Sequence, residues 1–424
     1  MKHTCFYCLV FCLAGIFVSL PARAAYLLVA MDGTQKNHLK AYGMTFWVLQ
    51  RNAEAEWLLN YRGGSFMYKY LQAFENELIV RGVSYEVLSD AQAVSLKEQI
   101  IDPEANMDVM KLEVAPKIAV YSPKSKQPWD DAVTLVLTYA EIPYTTIFDT
   151  EILENELPKY DWLHLHHEDF TGQFGKMFRS SSGQTWYQAQ LAETQALMRK
   201  YSYKKASQLK LAVVKRMRDF CAGGGFLFAM CSASDTYDIA LAADGVDICD
   251  EVYDGDAYDL QANHKLDFTK TFAFRNFTLE LDPYENEYAD IDTQPRDRGL
   301  AERNDFFKLF QFSAKWDPIP TMLTQNHATN IKGFMGQTTG FKKSLIKPET
   351  VIMGETKSLN EAKYIHGTFG KGTWTFYGGH DPEDYMHMLN EAPTDLNLHP
   401  SSPGYRLILN NILFPAAKKK KQKT

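Results

Sequence analysis

Gly223-Gly224-Gly225-Phe226-Leu227-Phe228-Ala229-Met230-Cys231-Ser232-Ala233-Ser234-Asp235 is the stretch on which the reading of the fold turns. Three glycines end whatever precedes them. Phe226 to Met230 is an unbroken apolar run of strand length, the pattern of a strand covered on both faces in a parallel sheet. Ser234 and Asp235 are helix N-cap types. Tyr237, Ile239, Ala240, Leu241 and Ala243 then continue as a mostly apolar helix that stops at Gly245. Cys231 therefore falls where strand turns into helix. Ala229 and Ala233, two positions away on either side, are small, as a crowded strand-to-helix turn that exposes a nucleophile requires. A helix N-terminus also favours a thiolate. The plain alternative is a packing cysteine at the end of a core strand, since free cysteine is among the most buried residue types.

Upstream of this turn the pattern alternates. Ile118 to Tyr121 reads as a strand, and Pro128 as the first turn of a helix running to Ala140, with Asp130 and Asp131 near its positive end. Strands at Tyr144–Phe148 and Tyr160–Leu165 flank a short helix at Glu151–Leu157. The last of these strands ends in a polar burst, His164-Leu165-His166-His167-Glu168-Asp169. Functional groups of an open α/β sheet gather beyond the carboxyl ends of its strands, and this burst is so placed. Alternation puts His164 and His166 on one face and His167 on the other, so the three cannot meet one ion without a bend. Gly172 to Leu191 is an insertion of weak pattern. Ala206 to Phe220 is an amphipathic helix that feeds the Cys231 turn, with Leu209, Val213, Met217 and Phe220 on one face.

Residues 25–112 form a first region. A strand at Tyr26–Met31, a helix at Lys36–Gln50, a strand at Ala55–Tyr61, a helix at Met67–Arg81, a strand at Ser84–Leu88 and a helix from Asp90 predict a parallel α/β layer. Arg62-Gly63-Gly64-Ser65 reads as a tight turn in preference to an anion cradle. After Gly245 the composition changes: residues 250–370 are rich in Asp and Tyr, with short strands at Phe268–Phe272, Thr278–Leu281 and Thr350–Met353. They read as an antiparallel, β-rich insertion. Gly372 to Tyr377 returns to a strand and ends Gly378-Gly379-His380-Asp381-Pro382-Glu383. A helix at Tyr405–Phe414 closes the domain, and residues 416–424 form a basic tail.

The chain has 424 residues, with 45% hydrophobic and 23% charged, room for a large core. A formal net charge of −7 gives no support to a nucleic-acid partner. Lys2, the apolar stretch Phe6 to Leu20 and Pro21-Ala22-Arg23-Ala24 read as a signal peptide over residues 1–24, cleaved near Ala24, so an exported, periplasmic protein is expected. Leu9-Val10-Phe11-Cys12 fits a lipid-attachment box only superficially, because Phe11 is too large. No later segment has the length and apolarity of a membrane span. Cys221, Cys231 and Cys249 remain after export, an odd number for an oxidising compartment. A Cys221–Cys249 bridge would leave Cys231 free, and three buried thiols are the alternative.

A Cys at a strand-to-helix elbow, followed much later by a His at a strand end and a Glu shortly after it, resembles the class I glutamine amidotransferase-like superfamily over residues 115–415. The whole chain is similar to exported bacterial proteins labelled asparagine synthetase B. An N-terminal catalytic Cys and a Ser-Gly-Gly-x-Asp-Ser type pyrophosphate loop, which such a synthetase needs, are absent, so that activity is not expected. The resemblance implies a flavodoxin-like parallel sheet with flanking helices, extended at its N-terminus by residues 25–112 and carrying the insertion. It implies a cysteine-dependent amide or ester hydrolase: Cys231 attacks, His380 carries the proton, and Glu383 or Asp381 orients the imidazole. The backbone amides of Ser232 and of His166 or His167 stabilise the oxyanion. The late motif is one residue longer than the family's His-x-Glu. Two other readings stand beside this one: a non-catalytic binding or scaffold protein on the same fold, and a metal-assisted hydrolase using His166, Glu168, His380 and Asp381. No resident cofactor is expected, and the partner is an unidentified small molecule, peptide or envelope component.

Overall fold

A computed structural model describes residues 25–125, 127–293 and 298–417. The expected signal peptide over residues 1–24 and residues 418–424 of the basic tail lie outside the described residues.

The segment after residue 112 builds a mixed sheet flanked by helices. Its parallel half comprises β6 (Ile118–Tyr121), β7 (Thr145–Ile147), β8 (Trp162–Leu165), β9 (Phe226–Met230) and β15 (Gly372–Tyr377), in the spatial order β7-β6-β8-β9-β15. Counted within this half the order is 2-1-3-4-5, that of flavodoxin-like doubly wound sheets. The apolar run of the opening stretch is β9, and Leu227 to Met230 are buried on both faces. Both neighbours are parallel: Leu227 sits opposite Leu163 on one side and Trp374 on the other.

Beyond β15 the same sheet continues antiparallel, in the order β15-β14-β13-β10-β11, through β14 (Glu361–Phe369), β13 (Val351–Thr356), β10 (Phe306–Leu309) and β11 (Asn330–Lys332). The short β12 (Phe341–Lys342) pairs with β14. The antiparallel character expected of the insertion is therefore present, but it extends the main sheet. Phe268–Phe272 and Thr278–Leu281 do not form strands. Residues 266–292 are irregular, and Asp238 holds them by accepting the backbone N–H groups of Phe272, Ala273 and Phe274 at 2.6, 2.7 and 2.9 Å.

The N-terminal region departs from its expected parallel layer. Its five strands, β1 (Tyr26–Val29), β2 (Ala55–Leu59), β3 (Ser65–Lys69), β4 (Glu86–Leu88) and β5 (Asp108–Leu112), form one antiparallel sheet, ordered β4-β1-β3-β2-β5. The reason is local. Arg62, Gly63 and Gly64 take positive φ values of 45°, 77° and 85°, which turn the chain back at once. Residues 65–69, of which the pattern assigned 67–69 to the start of a helix, become the return strand, and that helix begins only at Gln72. Helix His38–Gln50, capped by Asn37 Oδ1 on the Lys40 N–H at 2.9 Å, packs against helices Ala132–Tyr139 and Pro403–Leu413. The apolar residues of this layer and of one face of the large sheet merge into one core, including Leu27, Trp57, Phe228, Tyr364 and Ile408. The weakly patterned insertion is in part helical, Thr185–Tyr201. Cys221, Cys231 and Cys249 are all free and buried, so the Cys221–Cys249 bridge does not form. Among the described residues, no helix is long and apolar enough to cross a membrane.

Candidate functional site

The carboxyl ends of β8, β9 and β15 meet at one pocket, which encloses about 370 Å³. Cys231, His167 and His380 line it, together with Trp129, Met335 and Met386.

Cys231 is the first residue of helix Cys231–Ala242. Ser234 and Asp235, expected as caps, instead lie inside that helix. The N-cap is Met230, which offers no side-chain acceptor. Cys231 has φ +46°, a left-handed conformation that non-glycine residues adopt at a cost and that collects at functional sites. Its N–H donates to Gly379 O at 3.2 Å, and the Ala233 N–H to His166 O at 3.0 Å. These bonds tie the elbow to the ends of β15 and β8. Burial pushes the Cys231 thiol above its usual pKa, and the backbone amides of Thr338, Ser232 and Gln337 pull the other way. Two of those three amides come from the loop between β11 and β12. Gly336 lets that loop close over the elbow: a Cβ added there would sit 2.9 Å from Cys231 Sγ and 2.9 Å from His380 N.

The expected oxyanion donors therefore need revision. The Ser232 amide is in place. The His166 N–H is spent on Glu168 Oε2 at 2.9 Å, and the further donors around the sulfur are those of Gln337 and Thr338. A loop with no strand or helix periodicity gave no sign of this role in the sequence.

His380 lies just beyond β15, its N–H bonded to Met335 O at 2.9 Å. Its Nε2 is buried without a hydrogen-bond partner. Burial, with His166, His167 and His387 nearby, holds this imidazole well below its usual pKa, so it is neutral. Neither expected orienting acid reaches it. Glu383 pairs with His399 Nδ1 at 3.0 Å. Asp381 Oδ1 accepts the Glu383 N–H at 2.9 Å, and Asp381 faces the buried Tyr405. The extra residue in the motif turns both acids away. Around His380 stand other histidines instead: His387 stacked at 4.4 Å between ring centroids, His166 at 4.5 Å and His167 at 5.9 Å.

The strand β8 ends at Leu165, so His166 and His167 lie past the pleat and both turn toward His380. Asp131 stands behind them. Its carboxylate caps helix Ala132–Tyr139 through the Thr134 N–H at 2.9 Å and lies 3.3 Å from His164 Nε2 and 3.4 Å from His166 Nδ1. Burial raises its pKa, but these two imidazoles outweigh that and hold it well below the carboxylate range. Burial pushes Glu168 up to about 7. His387 pairs with Asp384 at 2.9 Å and Asp130 at 3.2 Å. The pattern reading assigned no role to His387, and used Asp130 and Asp131 only as helix-end charges.

No family model matches the chain, and no curated protein matches it. Among solved structures, it is similar to two cytoplasmic proteins of Salmonella typhimurium. One has 9% identity and a TM-score of 0.35, over 72% of this chain and 100% of the other. The second has 12% identity and a TM-score of 0.35, over 71% and 100%. A β-galactosidase from Bacillus circulans has 12% identity and a TM-score of 0.27, over 64% of this chain and 29% of the enzyme.

Proposed function

We propose that this pocket is the active site of an exported hydrolase that cleaves an amide or ester of a small molecule or peptide, with Cys231 as nucleophile. The observation that carries the reading is the left-handed elbow at Cys231, whose sulfur faces three backbone amides at the wall of a pocket shared with His380. Strain of this kind costs on the order of 1–3 kcal/mol and persists where the surrounding structure imposes it.

The chemistry follows from the protonation states. The thiol is held protonated, so attack on a carbonyl carbon requires a proton acceptor. The neutral His380 Nε2, unpartnered and in the same pocket, is that acceptor. As the S–C bond forms, negative charge moves from sulfur to the carbonyl oxygen, and the amides of Ser232, Gln337 and Thr338 stabilise it there. His380 returns the proton to the departing amine or alcohol. Water, deprotonated by the same ring, then releases the acyl group from Cys231. Asp381 and Glu383 have no part in this scheme.

A non-catalytic binding role is favoured by one observation: among the described residues, no carboxylate hydrogen-bonds to His380. Alkylation separates the two readings. With Cys221 and Cys249 replaced by Ala, the rate of iodoacetamide reaction at Cys231 is measured against pH, in the parent and in His380→Ala. The hydrolase reading expects reaction near neutral pH that falls at least about tenfold in the variant. A slow rate that rises only as an ordinary thiol titrates, unchanged by His380→Ala, identifies a packing cysteine in a binding pocket.

A further inference from the structure

Three imidazoles converge beside Cys231 with nothing to bond to. His166, His167 and His380 each present a ring nitrogen, and the three nitrogens lie within 4.8 Å of one another. Both nitrogens of His166, both of His167 and Nε2 of His380 are buried without a hydrogen-bond partner. A single buried polar atom left unsatisfied costs about 1–3 kcal/mol. Four such atoms in one corner, with His166 Nδ1 facing only Asp131 at 3.4 Å, mark a place built to receive something.

The geometry says what that is. A tetrahedral ion bound through one nitrogen of each ring at about 2.0–2.1 Å would set the ring centroids about 5 Å apart. The observed separations are 4.5, 5.1 and 5.9 Å. His166 has the support that a metal-bound imidazole needs. Asp131 stands 3.4 Å from Nδ1, which fixes the ring and leaves Nε2 for the ion. Asp131, half-buried, and Glu168, buried, stand beside the rings and supply the negative charge that a divalent cation requires there. Glu168 Oε1 has no partner of its own and lies 3.9 Å from His167 Nε2. Neighbouring groupings fit less well. His387 is already paired with Asp130 and Asp384, and His164 shares the Asp131 carboxylate with His166. Cys231 is not among the converging atoms, so its thiol stays available, and the ion's fourth position faces the pocket that His167 and His380 line.

We infer that His166, His167 and His380 form a three-histidine site for a divalent transition metal of the zinc or cobalt type, with one position open to the pocket. The donor set differs from the His166, Glu168, His380 and Asp381 group that the sequence offered as an alternative, because Asp381 faces Tyr405 and no Glu168 oxygen converges with the three ring nitrogens. The inference does not rest on the hydrolase reading, which describes the metal-free chain: imidazole ligation needs no reaction at Cys231, and a metal-bound His380 Nε2 could not also accept the thiol proton.

The test is a metal titration that reads no activity. The full chain is stripped with a chelator and titrated with Co²⁺, followed by visible absorption, and with Zn²⁺, followed by calorimetry. The expected result is about one equivalent per chain with the intense visible bands of a tetrahedral ion. His166→Ala and His380→Ala should each weaken binding at least about 100-fold, Asp131→Asn about 10–100-fold, and Cys231→Ser should leave it unchanged. No tetrahedral cobalt spectrum in the wild-type chain at millimolar metal overturns the inference without recourse to any variant. Binding that persists in well-folded His166→Ala and His380→Ala also overturns it. Alkylation of the metal-free protein is read separately, so a failed nucleophile and a failed metal site give different results.

Discussion

Gly336 carries more of the site than its size suggests. No left-handed φ constrains it, so alanine there is excluded by space alone. The added methyl would press on Cys231 Sγ and on the His380 backbone. Gly336→Ala should therefore slow alkylation of Cys231 at least about tenfold while circular dichroism stays that of the parent. An unchanged rate would mean that the loop yields and does not define access to the thiol. Cys231 itself was legible in the sequence, because an apolar strand run followed by small residues locates an elbow from local pattern. The cap was misread because Ser234 and Asp235 are good caps in isolation. In the folded chain the Cys231 amide bonds to Gly379 O, and the helix starts three residues ahead of Ser234. Gln337 and Thr338 were not legible, since they reach Cys231 only through long-range folding of a patternless loop. His167 was set apart from His166 by strand alternation, a rule that lapses where the strand stops at Leu165.

Single buried carboxylates fasten whole elements. Asp149, at the start of helix Asp149–Leu153, accepts from Tyr121 at the end of β6, Oδ1 to hydroxyl at 2.5 Å, and pairs with Lys210 on helix Ala206–Gly223 at 2.8 Å. Lys210 also donates to the Tyr121 hydroxyl at 2.9 Å. Asp149→Ala would leave a buried ammonium with only that hydroxyl, and should destabilise the fold by about 3–5 kcal/mol in urea unfolding. A loss below about 1 kcal/mol would show that water reaches Lys210 and replaces the pair. The five parallel strands were all anticipated, because each is a short run of apolar, aromatic or β-branched residues bounded by turn residues. Two strands of the N-terminal layer, β3 and β5, were not anticipated, and β3 is the one that changes its topology. Ser65 to Lys69 is apolar enough for either a helix start or a strand, and the Arg62–Gly64 turn decides for the strand. With it, a parallel layer becomes an antiparallel sheet.

Across the molecule, Arg406 holds three distant segments. Its guanidinium donates to Met31 O at 3.0 Å, to Gly63 O at 2.7 Å and to His327 Nδ1 at 2.9 Å. His38 stacks on His327 at 4.2 Å, its Nε2–H facing Met31 O and Asp32 O at 3.1 and 3.0 Å. Burial, with Arg406 beside them, holds His38 down to about 3 and His327 down to about 4. An unfolded histidine protonates near about 6.5. Between that pH and about 4 the unfolded chain thus binds protons that the folded one refuses, and stability must fall as pH falls through this window. The expected result is a Tm that drops steadily from pH 7 to pH 4.5, with a shallower drop in His327→Gln, whose amide oxygen can still accept from Arg406. A flat Tm in the parent, or an identical slope in the variant, would show that this cluster titrates as it does in the unfolded chain.

The parallel pairing of β9 with β15 also has a consequence in time. A ribosome delivers Cys231 long before it delivers Gly336, Thr338 or His380, and β15 cannot dock until nearly the whole insertion has emerged. Throughout that interval the thiol lacks the Gln337 and Thr338 amides and the His380 imidazole. A chain stalled or clipped anywhere ahead of β15 therefore carries Cys231 as an ordinary exposed thiol, and the pocket around it closes only with the last strand.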